Sequence, residues 1–292
     1  MRPDARWAFA RYRAIAHTLP ESPHGFPKKS YHILDLQYVL KRYDGFILDA
    51  FGILNVGDGV LPQAVERVQQ IRDAGCKVLV LTNGASATKE EALAKYHKWG
   101  FDFAETEVIA SRDLAGAALE GRGGLWAGIA PEGAGFDDLP GEIKALDDDL
   151  LESADGFLFL GSQGWDEQKQ AKLVAALKAR PRPVICANPD IVAPREEGFT
   201  WEPGHWAHDL PVKVEFYGKP YGGAYEAALK AMDLPAARVA MVGDTLHTDI
   251  LGGRAAGCGT VLVTGHGFFK GVDPEGFIEA TGVRPDYIAD ET

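Results

Sequence analysis

Short apolar runs alternate with amphipathic stretches along most of this chain. Phe46-Ile47-Leu48 is an apolar run closed by Asp49, and it predicts a buried parallel strand over 45–49. Ala64, Val65, Val68 and Ile71 recur at helical spacing, which predicts a helix from Pro62 to Ala74 with Gly75 as its stop. Val78-Leu79-Val80-Leu81 predicts a strand ending at Thr82-Asn83-Gly84. Lys89 to Trp99 reads as a helix closed by Gly100, and Val108-Ile109-Ala110 as a short strand ending at Ser111. Strands alternating with helices predict a parallel sheet with right-handed crossovers.

The flanking segments extend this pattern. Ala5 to His17 predicts a helix, Pro20 to Pro27 a loop, and Leu34 to Lys41 a second helix before the first strand. In the middle, Gly124 to Ile129, Gly156 to Leu160 and Pro183 to Ala187 read as strands, with helices near 141–153 and from Asp166 to Arg180. The sheet pattern resumes with Val214-Glu215-Phe216-Tyr217, leading to Gly218-Lys219-Pro220. A helix from Gly223 to Met232 follows, then strands at Val239 to Val242, Thr260 to Thr264 and Tyr287 to Ala289. The expected fold class is α/β, a doubly wound, Rossmann-like parallel sheet with a smaller α/β unit inserted into it. Residues 1–111 and 211–292 are expected to form the core, with 1–42 as a helical extension, and 112–210 the insertion.

Composition narrows the partners. The chain has 292 residues, 46% hydrophobic and 25% charged, as ordinary globular proteins do. Its 42 acidic against 30 basic residues give a formal charge of -12, which disfavours nucleic acid and anionic membranes. Cys76, Cys186 and Cys258 lie far apart without metal spacing, so they read as small buried residues in a reducing compartment. Arg2, Arg6, Arg11 and Arg13 are not followed by an apolar core of signal-peptide length, so a cytoplasmic location is the expectation.

The candidate chemistry sits at strand ends. Asp49, Thr82, Lys219 and the pair Asp244/Asp249 mark four predicted strand ends, and in a parallel sheet such ends converge on one edge. Asp49 and Asp244 suit a hard divalent cation of the Mg²⁺ type. Thr82 offers a hydroxyl, and the amides around Asn83 and Gly84 offer donors to an anionic oxygen. Lys219 adds a fixed positive charge that can hold a phosphoryl group and keep Asp49 ionised. Asp49 then reads as a nucleophile that forms an acyl-phosphate.

These segments resemble the four motifs of the haloacid dehalogenase-like (HAD) hydrolase superfamily. Asp49-Ala50-Phe51-Gly52-Ile53-Leu54 resembles the first, Leu81-Thr82-Asn83 the second, Gly218-Lys219-Pro220 the third, and Gly243-Asp244-Thr245-Leu246-His247-Thr248-Asp249 the fourth. The insertion between the second and third resembles the C2 cap of subclass IIA, the NagD-like and 4-nitrophenyl-phosphatase-like group. Leu61-Pro62-Gln63-Ala64, Asn188-Pro189-Asp190 and Thr248-Asp249-Ile250-Leu251-Gly252-Gly253 are further cues to that subclass. The resemblance spans residues 43 to 290.

It implies that Asp49 is nucleophile and Mg²⁺ ligand, and that the backbone carbonyl of Phe51 and the Asp244 carboxylate complete the protein's metal ligands. Thr82 and Lys219 would hold the phosphoryl group, and Asp249 would support the metal's waters or pair with Lys219. A small phosphorylated metabolite is the implied substrate, and dimerisation through the cap the implied assembly. Phe51 departs from the pattern. Most phosphatases of the superfamily carry there an aspartate that protonates the leaving group, a role phenylalanine cannot take. His247 and Asp190 are the candidate substitutes, and Asn188, Asp190 and His247 the candidate substrate contacts. Two alternatives stay open: a ligand-binding or regulatory protein on a weakened phosphatase fold, and a carbon–halogen hydrolase. The intact Gly243-Asp244 and Asp249 weigh against the latter. Trp201, His205, Trp206 and His208 read as packing between cap and core rather than as a substrate wall, and Arg195-Glu196-Glu197 as a solvated loop.

Overall fold

The computed structural model describes residues 3–292. In chain order the strands are β1 (Tyr31–Ile33), β2 (Gly45–Leu48), β3 (Asn55–Val56), β4 (Gly59–Val60), β5 (Lys77–Thr82), β6 (Val108–Ala110), β7 (Leu125–Ile129) and β8 (Glu142–Ala145). They continue as β9 (Gly156–Phe159), β10 (Val184–Cys186), β11 (Val192–Arg195), β12 (Gly198–Trp201), β13 (Val214–Phe216), β14 (Val239–Gly243), β15 (Gly259–Val263) and β16 (Tyr287–Ala289). A seven-stranded parallel sheet has the order β1-β16-β15-β14-β2-β5-β6. From β2 the chain winds outward to β5 and β6, then returns through β14 to β15 and β16. The switch point therefore lies between β2 and β14.

Both faces of this sheet are covered, which explains its unbroken apolar runs. Phe46, Leu48, Val78, Val80, Ala240 and Val242 pack on one side with Val68 and Ile71 of the helix Ala64–Asp73. The intervening residues Ile47, Leu79, Leu81, Val239 and Met241 pack on the other with Ala224, Tyr225 and Ala228 of the helix Gly222–Met232. Alternate residues thus meet different cores, the two-residue period of a strand buried on both faces.

The inserted unit is a second parallel sheet of order β13-β10-β9-β7-β8. Its faces pack against Leu173 and Leu177 of the helix Glu167–Ala179 on one side, and against Ala115 and Leu119 of the helix Ser111–Leu119 on the other. β13 belongs to this sheet, paired in register with β10, so Val214–Phe216 does not resume the first sheet as the order of elements suggested. The second sheet runs past the expected boundary at 210.

Other expectations shift at exposed edges. The helix expected near 141–153 is the edge strand β8 followed by a short helix, Asp148–Ser153. Glu142-Ile143-Lys144-Ala145 is largely exposed, so charge hides its strand character, and Asp147 caps the helix by accepting from the Leu150 amide at 2.8 Å. Only one turn, Leu36–Val39, forms in place of the second helix, after the short edge strand β1. The segment around Arg195-Glu196-Glu197 is the turn of an antiparallel hairpin, β11–β12. Helix α1 (Ala5–Ile15) forms as expected, capped by Asp4, whose carboxylate accepts from the Trp7 amide at 2.7 Å. Among the described residues no helix is long and apolar enough to cross a membrane.

Candidate active site

Three neighbouring strands bring three site residues together. β14, β2 and β5 are adjacent, and Asp244, Asp49 and Thr82 stand at their carboxyl ends. The Asp49 backbone N–H donates to the Val242 carbonyl at 2.9 Å, so the ladder continues up to the carboxylate. Asp49 Oδ1 accepts from the Ala50 amide at 2.7 Å and from Lys219 Nζ at 2.6 Å. The same ammonium reaches Asp249 Oδ1 at 2.7 Å, while the Thr245 amide donates to Asp249 Oδ2 at 3.1 Å. Asp244 Oδ1 accepts from Thr245 Oγ1 at 2.8 Å and its Oδ2 from the Phe268 amide at 2.7 Å. Thr82 is 6% exposed, and its Oγ1 accepts from the Gly84 amide at 3.1 Å.

Lys219 comes from elsewhere. It follows β13 of the second sheet rather than a strand end of the first. Asn83 fixes it there: its Oδ1 accepts from the Lys219 amide at 2.7 Å, and its Nδ2 donates to the Lys219 carbonyl at 2.9 Å. Gly218 must be glycine for this approach, since φ is +121° and a Cβ would stand 2.5 Å from Asn83 Oδ1. The Asn83 side chain is thereby committed to positioning rather than to an incoming anion. Its Nδ2 also donates to Asp190 Oδ1 at 2.9 Å.

Burial sets the electrostatics. Desolvation, opposed by Lys219 and reinforced by Asp249, pushes the Asp49 carboxyl up to about 7. Desolvation, with Asp49 and Asp249 nearby, lifts Asp244 well above the usual carboxylate range. Burial by itself would lower Lys219, but Asp249, Asp49 and Asp190 outweigh it and hold the ammonium above its ordinary value. The charges are thus unbalanced, with one cation among several buried acids.

The donor set fits a hard cation. One oxygen each of Asp49, Asp244 and Asp249 lies within 4.8 Å of the others. Gly52 and Gly267 leave room at Asp244 Oδ2 that a Cβ would fill. Asp244 accepts only from neutral donors, whereas Asp249 is held by the Lys219 ammonium through Oδ1 and by the Thr245 amide through Oδ2, so Asp49 and Asp244 are the better ligands and Asp249 the partner of Lys219. All-oxygen, anionic donors suit Mg²⁺ or Ca²⁺.

A cavity of about 830 Å³ opens onto this centre, lined by Asp49, Phe51, Thr82, Asn83 and Gly84 from the core and by Asn188 and Asp190 from the inserted unit. His247 is not part of it. That imidazole is 4% exposed, stacked on Tyr12 of α1 with ring centroids 4.4 Å apart, and burial drives it down to about 3. It is neither a substrate contact nor a substitute acid. Trp201 and Trp206 line the cavity and also pack in the core of the inserted unit, so the two readings of that cluster merge. His205 packs on Trp7 of α1, as a packing role requires.

Sequence reasoning passed over Arg195. Its guanidinium sits 5.0 Å from the centroid of the Phe51 ring and pairs with Glu202 at 3.1 Å. An arginine beside two glutamates reads as a solvated run, and only the hairpin turns it inward.

Comparison with known proteins gives the family. The family description "Haloacid dehalogenase-like hydrolase" matches residues 46–129, and "HAD-hydrolase-like" matches 216–291, the two segments that meet at the switch point. The chain belongs to the haloacid dehalogenase-like hydrolases. Within them it is of subclass IIA. This HAD chain is 28% identical to the ribonucleotide monophosphatase NagD of Escherichia coli over 83% of its own length and 94% of the relative's. Its fold resembles a possible sugar phosphatase from Cytophaga hutchinsonii, with a TM-score of 0.78, 26% identity and coverage of 91% of this chain and 98% of that one. A p-nitrophenyl phosphatase from Archaeoglobus fulgidus matches with a TM-score of 0.69 and 25% identity, over 85% of this chain and 96% of that one.

Proposed function

We infer that this HAD phosphatase hydrolyses a small phosphate monoester through an aspartyl-phosphate on Asp49, with Mg²⁺ as cofactor. One observation carries the reading. A buried ammonium holds the Asp49 carboxylate at 2.6 Å beside a second acid at the switch point, inside a cavity of metabolite size. The names of the relatives support the reaction class, for they are a ribonucleotide monophosphatase, a possible sugar phosphatase and a p-nitrophenyl phosphatase.

The residues divide the work. Lys219 and the Thr82 hydroxyl hold phosphoryl oxygens, and Lys219 keeps Asp49 anionic and aimed. Asp49, Asp244 and the Phe51 carbonyl would hold a divalent cation, which would supply further neutralisation of the phosphoryl charge. The Asp49 carboxylate attacks phosphorus, the ester oxygen leaves, and water then cleaves the acyl-phosphate. The inserted unit is the cap, and its Asn188–Asp190 loop closes the cavity over the reacting atoms.

Hydrolysis of p-nitrophenyl phosphate with Mg²⁺, after removal of divalent metal by a chelator, and with metal restored tests this. Turnover that disappears with the chelator and returns with Mg²⁺ is expected. Equal turnover throughout would remove the metal from the account.

A further inference from the structure

Position 51 cannot deliver a proton, because a phenyl ring stands there beneath the Arg195 guanidinium. Few other groups in the cavity can. Lys95 and Asp58 pair with each other at 3.0 Å at its rim, where Asp58 is almost fully exposed. Glu202 has both oxygens engaged, Oε1 by Arg195 and Thr200 at 3.1 and 2.9 Å, Oε2 by Asn188 at 3.1 Å. His247 lies outside, under α1.

Asp190 differs from all of these. Its Oδ1 accepts from Asn83 Nδ2, the same nitrogen that holds the Lys219 carbonyl, which ties the carboxyl to the phosphoryl-binding lysine through one side chain. Among the described residues its Oδ2 has no hydrogen-bond partner. The backbone around it is pinned on both sides. Its own amide donates to Asn188 Oδ1 at 3.0 Å, and the next amide, Ile191, donates to the Tyr12 hydroxyl at 3.2 Å. A half-buried, rigidly held carboxyl with one unengaged oxygen therefore faces the cavity that Asp49 lines.

We propose that Asp190 is the general acid and base of this site, supplying from the cap the proton that position 51 has lost. The proposal rests on the phosphatase reading above. As the bond from phosphorus to the ester oxygen breaks and the bond to Asp49 forms, the protonated Asp190 gives its proton to the departing oxygen, which leaves as an alcohol. The resulting carboxylate then takes a proton from the water that attacks the acyl-phosphate. The bond between Asp49 and phosphorus breaks, phosphate departs, and both acids return to their starting state. Burial pushes the Asp190 carboxyl up to about 7, so both forms are populated near neutrality. Because the proton arrives with the cap, a ring can occupy position 51 without loss of acid catalysis.

The test compares two esters. p-Nitrophenyl phosphate has an acidic leaving group and needs little protonation, whereas an alkyl phosphate such as glycerol 2-phosphate needs much. Asp190→Asn is expected to lower kcat/KM on the alkyl ester by about 10²- to 10⁴-fold, and on the nitrophenyl ester by a factor at least ten times smaller. The surviving nitrophenyl turnover reports that the variant is folded. Adding Phe51→Asp to Asp190→Asn returns a carboxyl at the usual position and is expected to restore about tenfold or more of the alkyl activity. Equal losses on both esters, or a double variant no better than Asp190→Asn, would overturn the assignment while leaving the phosphatase reading in place. Wild-type protein inactive on both esters with Mg²⁺ would instead remove the phosphatase reading, and this proposal with it.

Discussion

Lys219 shows how far one side chain organises this site. It is 1% exposed and touches both Asp49 and Asp249, so its loss leaves two buried acids facing each other without a counter-charge. Breaking a buried ion pair from one side costs about 3 to 5 kcal/mol. Lys219→Met is expected to lower the unfolding midpoint clearly and to abolish nitrophenyl phosphate turnover, as read by thermal unfolding and a colorimetric assay. A midpoint equal to wild type would mean that the acids are neutral without the lysine. At this scale the sequence was readable where a polar residue ends an apolar run, as at Asp49, Thr82 and Asp244. It was unreadable where long-range contacts decide the role. The Asn83 amide is spent on Lys219 and Asp190, Arg195 turns inward onto Phe51, and His247 is sealed beneath Tyr12.

Helix α1 is the element whose role the sequence left unassigned, and its contacts join core to cap. Tyr12 stacks on His247 of the core and accepts from the Ile191 amide of the cap. Arg11 donates to the His205 carbonyl at 3.0 Å and pairs with Asp209 at 2.8 Å. Tyr12→Phe keeps the ring and orphans one buried amide, so a loss of about 1 to 3 kcal/mol is expected in denaturant unfolding. Tyr12→Ala also removes the stacked ring and is expected to cost about 3 to 5 kcal/mol; equal midpoints for the two variants would contradict the stacking role.

The same junction carries a pH dependence. Burial, then the Arg11 charge, lowers His205 and His208 to about 4, against the partial support of Asp209 and Glu167 at His205 and of Asp209 at His208, where His17 adds to the lowering. The unfolded chain takes these protons near 6.5, so the two histidines stabilise the fold fully above that pH and progressively less as pH falls toward 4. Allowing for their partial exposure, the pair is expected to account for a loss of about 1 to 2 kcal/mol between pH 7 and 5. Unfolding of the double variant His205→Gln, His208→Gln should show a flatter profile across that range, and an unchanged slope would refute the attribution. Elements buried on both faces, such as β2 and β14, were legible because every residue is apolar. Edge elements such as β1, β8 and β11–β12 were not, because exposure lets charge and turn residues break the pattern.

Across the whole molecule, the site exists only because two parallel sheets meet. The first supplies Asp49, Thr82 and Asp244, and the second delivers Lys219 just after β13 and Asp190 in the loop that follows β10. The order of the four motifs was legible along the chain, but the sheet to which β13 belongs was not, since a three-residue strand such as Val214-Glu215-Phe216 carries no mark of its neighbour. With a formal charge of -12, the surface is expected to leave duplex DNA unbound at physiological salt, and a gel-shift at low salt checks this. The central claim is covalent chemistry at Asp49. Its most direct test is rapid acid quench of the enzyme turning over a radiolabelled phosphate monoester with Mg²⁺, followed by peptide mapping. Label on the peptide that holds Asp49, absent from Asp49→Asn, is the predicted result. Turnover without protein-bound label, label on another residue, or activity retained by Asp49→Asn would contradict it.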